Sequence, residues 1–440
     1  MPAIPKGPSS VLRPLIEYLL DPYGAAVRAL EKYGDPLEVN TPAGKMVMTS
    51  NPELIREIFS AGPETFAAFS LDLLGELIGE GSLMVISGER HRAVRKLLAP
   101  PFHGERMRQY GRLMQETALR WASRWPKGSP FRMDETAHAI TLEVIIQAVF
   151  GVTESSQVEV LRNTLLSLLG TVHPSFVFVR SLRRNFGGQG PYARFQRALH
   201  ILQALISEQI ASRRQTGRQG EDILSMLLQA RYDDGSALEE REIQEQLLAL
   251  LFAGKEPTAV ALTWAFHLVH HHPLVLERLR AELGEAGPQP TPETLAALPY
   301  LEAVCLETLR LYPVVPVLGR RLTRPLRLGG YEVPAGVGLG ISVVAAHRRA
   351  ELYPAPHRFR PERFLERKYS AFEFMPFGGG ARRCPAAAFA MYQMKIVLGT
   401  LVQRYRLRNA RSTPPRVVPR ATFAAPARGV EMIAAAEATS

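Results

Sequence analysis

Apolar residues recur at three- and four-residue spacing along most of this 440-residue chain, and strand-like alternation is confined to short pieces. Helical spacing runs through 105–125, 134–150, 157–170 and 191–214, and a helix pair broken at Asp21-Pro22 fills 11–33. Residues 39–49 read as a small hairpin with Pro42-Ala43-Gly44 at its turn. Asn51-Pro52-Glu53 opens a short helix, because Asn caps well and Pro is tolerated in a first turn. Further strand signals appear near 320–345 and 415–434. The pattern predicts a mainly α protein with a small, separate β region.

The longest predicted element is the most informative. Ser236-Ala237-Leu238-Glu239 has the spacing of a capping box, and a helical pattern then covers 236–272 up to Pro273. At 1.5 Å per residue this helix is roughly 50 Å long, enough to cross a large domain. Its middle reads Phe252-Ala253-Gly254-Lys255-Glu256-Pro257-Thr258-Ala259. In a helix interior glycine costs about 1 kcal/mol relative to alanine, and proline about 3. Two such residues within four positions imply either a close approach to the backbone or a helix opened into a groove.

Composition changes this picture only in places. With 46% hydrophobic residues the chain can bury a large core. Length alone suggests two or three domains, but no linker, charge run or solenoid repeat divides residues 1–440, so one large domain is expected. Two cysteines, Cys305 and Cys384, exclude a disulfide scaffold and fit a reducing cytoplasm. Cys305 lies in an apolar helical stretch and reads as inert core. The start, Pro2-Ala3-Ile4-Pro5-Lys6-Gly7-Pro8, has no run able to span a bilayer, so no membrane anchor is expected; a chain shortened by loss of an anchor would read the same. The net charge of +11 comes from scattered arginines without interleaved aromatics, which argues against nucleic acid. His270-His271-His272 read as carbonyl-binding residues at a helix C-terminus. Gly378-Gly379-Gly380 lacks the Gly-Lys-Ser/Thr of a phosphate loop.

Candidate chemistry centres on Cys384, in the segment Phe377-Gly378-Gly379-Gly380-Ala381-Arg382-Arg383-Cys384-Pro385-Ala386 (377–386). The glycines allow a turn that packs against something flat, and Pro385 suits the first position of a following helix. The free N–H groups of that helix would favour a thiolate. A zinc site would need further cysteines or histidines nearby, and there are none. A buried structural cysteine remains the alternative on these residues alone.

The segment resembles the haem-binding signature of the cytochrome P450 family, Phe-x-x-Gly-x-Arg-x-Cys-x-Gly. Phe377, Gly380, Arg382 and Cys384 match, and Ala386 stands in place of the last glycine. The long helix resembles the family's oxygen-groove helix, Ala/Gly-Gly-x-Asp/Glu-Thr-Thr/Ser, at Ala253, Gly254, Glu256 and Thr258. Pro257 replaces the threonine that the family uses in proton delivery. In an ideal helix Thr258 points about 100° away from that direction. The 300–312 helix, ending before Pro313, carries the Glu-x-x-Arg pair Glu307/Arg310, and Pro361-Glu362-Arg363-Phe364 resembles the family's meander. The resemblance implies a buried Glu307–Arg310–Arg363 network. It also implies that Arg382, His91, Arg95 and Arg320 hold the haem propionates, with Arg321 leaving the third register open.

By the same resemblance the protein is a haem-thiolate monooxygenase with Cys384 as iron ligand to haem b (iron protoporphyrin IX). Electrons from NAD(P)H would arrive through an acidic ferredoxin or flavodoxin-type donor docking on the basic surface. A cytoplasmic monomer acting on an apolar small molecule is expected: a fatty acid, terpenoid, steroid-like molecule or polyketide. The pocket would draw on 66–85, 165–186, 248–253, 314–318 and the turn at 422–423. The stretch Phe102-His103-Gly104-Glu105-Arg106-Met107 is similar to bacterial fatty-acid hydroxylases of the family. Two alternatives stay open: a peroxide-driven or otherwise unusual haem-thiolate oxidase, suggested by Pro257, and a non-catalytic haem protein that carries or senses ligands. Glu256 before Pro257 would repel a substrate carboxylate, which weighs against the first.

Overall fold

The computed structural model describes residues 4–69, 72–102, 104–152, 154–172, 182–185, 187–217, 220–420 and 422–435. Its axis is the central helix Glu240–His271, 32 residues and about 48 Å long. The helix starts later than the sequence suggested. Ser236 is held by Asp234, through its hydroxyl at 2.6 Å and its amide at 2.9 Å, and cannot cap. The capping box forms three residues on, where Glu239 is the N-cap and its amide donates to Glu242 at 3.1 Å. From Ala259 to Val269 every residue of this helix is buried. Trp264 is fully enclosed and stacks on Tyr312 at 3.9 Å between ring centroids. At the far end His270 and His272 each bring Nδ1 to 2.8 Å from the carbonyl oxygen four residues earlier, so these rings finish the helix.

Helices surround that axis. Met133–Phe150 lies closest, and Arg106–Ala122, Pro191–Thr216, Pro299–Leu311 and Ala387–Arg404 pack around it. A Cβ on Gly254 would come within 2.7 Å of Ile145, so this glycine is what allows Met133–Phe150 to sit so near. The helix continues unbroken through Pro257. Met133–Phe150 is buried along most of its length, as expected of a helix enclosed by others.

The β structure forms a separate face. A five-stranded sheet runs β1–β2–β8–β5–β3, formed by β1 (Leu37–Thr41), β2 (Gly44–Thr49), β3 (Phe66–Ala68), β5 (Val317–Leu322) and β8 (Gly338–Ser342). Only β2 and β8 pair in parallel. Three smaller sheets join β4 (Pro130–Arg132), β12 (Glu431–Ala434) and β9 (Leu407–Asn409), β6 (Leu326–Leu328) with β7 (Tyr331–Val333), and β10 (Val417–Arg420) with β11 (Phe423–Pro426). The predicted helix pair appears as Leu12–Leu20 and Gly24–Tyr33, and Asn51 caps Pro52–Ser60 through Glu53 N at 2.8 Å. The three-residue strands β3, β4 and β9 were not foreseen, since three residues carry no readable period.

Behind the last helices lies a buried ionic knot. Arg310 grips Glu307 with two bonds of 2.6 and 2.9 Å, and Arg363 reaches the same carboxylate at 3.0 Å. All three side chains are at most 2% exposed. Arg310 also donates to the carbonyl oxygens of His347 and Pro356. The remaining lone pairs and protons are therefore used, which is the condition under which a buried ion pair can persist.

Candidate functional site

Cys384 follows the short 3-10 turn Gly380–Arg382, and its own amide donates to the Phe377 carbonyl oxygen at 2.9 Å. Gly378 and Gly380 have φ of +68° and +63°, which side chains rarely adopt. The flat group against the turn is the Phe59 ring: a Cβ on Gly379 would meet it at 2.2 Å, and one on Gly380 would lie 2.6 Å from Phe59 O. The following helix begins at Ala387, with Ala386 as its N-cap, so Pro385 lies before the helix instead of in its first position. Burial pushes the Cys384 thiol up, against the opposing pull of the Ala386 N–H and of Arg95 and Arg383. The helix terminus and the arginines therefore bias the sulfur towards thiolate, but burial outweighs them. A metal ion at the sulfur deprotonates a thiol outright.

Around this sulfur the chain gathers positive charge. His91 and Arg95 share a face of Gly88–Leu98, four residues apart. Burial holds the His91 imidazole down to about 4, and Arg382, Arg95 and Arg320 push it the same way. His91 is therefore neutral at pH 7. Burial lowers Arg320 to about 10, with Arg382 adding to the effect. Strand alternation in β5 settles the register: Arg321 faces outward and donates to Gly336 and Ala43 carbonyl oxygens, while Arg320 turns inward. Among the described residues none of Arg95, Arg320 and Arg382 has a carboxylate partner. Three convergent guanidiniums without one are a donor set for a ligand that brings carboxylates. With a half-buried thiol beside them, these residues fit haem.

Arg382 also donates to Ser87 Oγ at 2.7 Å and to the Ile86 carbonyl oxygen. At the other end of that loop, buried Gln246 of the central helix accepts from Leu83 N at 2.8 Å and donates to Gly81 O at 2.9 Å. The 81–87 loop is thus pinned between the central helix and the Cys384 turn. Gln246 was missed from sequence, although a glutamine among the apolar positions of a helix was the available signal.

On the central helix Ala253 is exposed and Glu256 and Pro257 are half-buried, just before the enclosed run Ala259–Val269. Ala253 and Pro257 lie four residues apart, so both face this open side. Thr258, four residues from Gly254, is buried on the side facing Met133–Phe150. Glu256 Oε2 sits 3.6 Å from Lys255 Nζ and 3.6 Å from His138 Nδ1, two neighbours that sequence reasoning did not single out.

Of the expected pocket segments, residues 70–71, 173–181 and 186 lie outside the described residues, as does His103. The first residues of 66–85 serve the sheet: Phe66 is buried there, and Phe69 lies over Gly319 and Gly338 of β5 and β8.

The Cytochrome P450 family model matches residues 9–433. A chain that presents a glycine-arginine cysteine turn and an unpaired arginine cradle within this fold belongs to the cytochrome P450 family, and it is an oxidoreductase of the monooxygenase class. It is 32% identical over 421 residues to the Mycobacterium tuberculosis protein that bears the name cytochrome P450 137, covering 95% of this chain and 86% of that one. A Mycobacterium bovis relative named cytochrome P450 135B1 is 33% identical, over 91% of this chain and 84% of its own. The solved structure of retinoic acid-bound cyanobacterial CYP120A1 superimposes with a TM-score of 0.85 at 26% identity, covering 99% of both chains.

Proposed function

We propose that this protein inserts one oxygen atom from O2 into an unactivated bond of an apolar, isoprenoid- or fatty-acid-like substrate, with haem b as its cofactor. The observation that carries the reading is the cationic cradle of Arg95, Arg320 and Arg382, without carboxylate partners among the described residues, beside the half-buried Cys384. When bound, haem would be held by the Cys384 sulfur as iron ligand and would supply the redox chemistry. The cradle arginines would hold the two propionates, and neutral His91 can donate a hydrogen bond without adding charge. Ala253 and Pro257 line the opposite side with small, apolar surface, and Glu256 is the proton-carrying group beside them.

The substrate class rests on two supports. The pocket segments at 248–253 and 314–318 are apolar, and an apolar pocket takes an apolar ligand. The structural relative was solved with retinoic acid, a carboxylated isoprenoid. Electrons would come from NAD(P)H through an acidic ferredoxin or flavodoxin-type donor, in keeping with a net charge of +11. Among the described residues no helix is long and apolar enough to cross a membrane, and a cytoplasmic monomer is the assembly we propose. The test is incubation of haem-loaded protein with retinoic acid, other terpenoids and fatty acids, using a surrogate reductase and ferredoxin, followed by mass spectrometry. Products heavier by one oxygen, dependent on NADPH, are expected. A peroxide-driven oxidase would give equal turnover with dilute peroxide alone, and Pro257 is the observation behind that second reading.

A further inference from the structure

Neither Ala253 nor Pro257, the two residues on the open side of the central helix, carries a hydroxyl. Ala253 and Pro257 cannot hold a transferable proton, and Thr258 is buried on the face towards Met133–Phe150. Glu256 is therefore the proton-bearing group nearest that side, and what recharges it decides how protons arrive. Its Oε2 lies 3.6 Å from His138 Nδ1, on the neighbouring helix, and 3.6 Å from Lys255 Nζ. His138 Nδ1 is shielded from solvent and has no hydrogen-bond partner, while 21% of the side chain is exposed. The exposed area must then belong to other atoms of the residue. Lys255 is itself buried, 8% exposed.

We propose that His138 is the relay that recharges Glu256: the imidazole takes a proton at Nε2 and passes the Nδ1 proton to Glu256 Oε2. This rests on the monooxygenase reading above, in which the reaction consumes protons on the Ala253–Pro257 side. In the step, a solvent hydronium ion gives up one O–H bond and is left as water, an N–H bond forms at Nε2, the Nδ1–H bond breaks, and an O–H bond forms on the carboxylate. The ring is left as the Nε2–H tautomer and returns by tautomer exchange. No electrons move, and no oxidant is needed. The gap of 3.6 Å must close to about 3 Å, a loosening common in proton-transfer pairs outside the reacting complex. His138 acts through Glu256, so it is a positioning and relay residue.

The groups facing His138 fix the sign of its titration. Burial lowers its pKa, Glu256 and Asp134 raise it, and Lys255 and Arg420 lower it. These groups come from the central helix, from the histidine's own helix and from the β10–β11 hairpin. An imidazole that is neutral near pH 7 yet sits beside a carboxylate can accept and release a proton within one cycle.

Two measurements on the haem-loaded protein test the relay. In the first, NMR of histidine-labelled protein follows the His138 resonance, assigned by its loss in H138F. Glu256→Gln should move the midpoint to lower pH and Lys255→Met to higher pH; an unmoved midpoint in both overturns the coupling. In the second, oxygen consumption with NADPH and a surrogate reductase is followed against pH. H138F should slow it on the order of tenfold and erase the inflection at the His138 midpoint. The double variant H138F/E256Q should be no slower than E256Q. An inflection that survives in H138F and in H138Q, or losses that multiply in the double variant, would sink the relay. A protein that fails to give the red-shifted carbon monoxide band contradicts the monooxygenase reading instead, so the two failures stay separate.

Discussion

The two sides of the site are built by different rules. On the cysteine side, Glu307, Arg310 and Arg363 satisfy one another with bonds of 2.6–3.0 Å at almost no exposure, and the Gly378–Gly380 turn is fixed by positive φ and by Phe59. On the Ala253–Pro257 side, Glu256 keeps Lys255 and His138 at 3.6 Å, and the helix gives up a backbone hydrogen bond at Pro257. The first region is over-determined, which suits a site that must hold a ligand in one place. The second is loosely tied, which suits groups that must pass protons. Rigidity is spent where geometry matters, and slack is left where charge must move.

The comparison breaks most severely if the cysteine side is not what orders the haem. Cys384→Ala should abolish both the strongly red-shifted Soret band of the reduced carbon monoxide complex and all oxygen insertion; retention of that band would overturn the ligand assignment. Next in size, Glu307→Gln strands two buried guanidiniums and should cost about 3–5 kcal/mol, measured by urea denaturation. A loss under 1 kcal/mol would show that the knot is not what holds the meander. Arg320→Leu should weaken haem retention by about 1.5–3 kcal/mol, read as faster haem transfer to apomyoglobin. A smaller effect on the loose side is expected from Pro257→Thr. Restoring the helical hydrogen bond should raise unfolding stability by up to about 3 kcal/mol, while product per NADPH changes less than about twofold if, as proposed, delivery runs through Glu256. A large gain in coupling would instead show that the proline impairs proton delivery.

The smallest effect is on pH dependence. Burial, with Arg310 nearby, holds His347 down to about 3, and its Nε2 accepts from Met375 N at 3.0 Å. In the unfolded chain the same ring titrates near 6.5. Between these values the unfolded state binds more protons, so His347 contributes stability that is present above about pH 6.5 and lost as pH falls towards 3. Thermal unfolding midpoints measured from pH 7 down to pH 4.5 should fall, and His347→Gln, which keeps an acceptor, should flatten part of that fall.

Some of this was readable from the chain because it depends on local rules. The helices of 12–33 and of 106–216 follow from apolar spacing, and Asn51 followed by Pro52 announces a cap whose bond to Glu53 is present. The glycine-arginine turn before Cys384 is a local motif, and a turn needs no distant partner to be recognised. The start of the central helix was misplaced because two nested capping signals compete, and the one that loses has its serine engaged by Asp234. Local spacing cannot rank them.

What the sequence by itself determined was therefore the class of fold, the ligand cysteine as candidate, and the Glu307–Arg310 pair that lies three residues apart on one helix. Only the tertiary structure decided which arginine of Arg320-Arg321 turns inward, that Thr258 faces Ile145's helix, and that His138 reaches Glu256 across 118 positions of chain. Local periodicity says which face a residue shares with its neighbours in sequence. It carries no information about which face of another helix will be pressed against it, and charge placed by packing is decided at that contact.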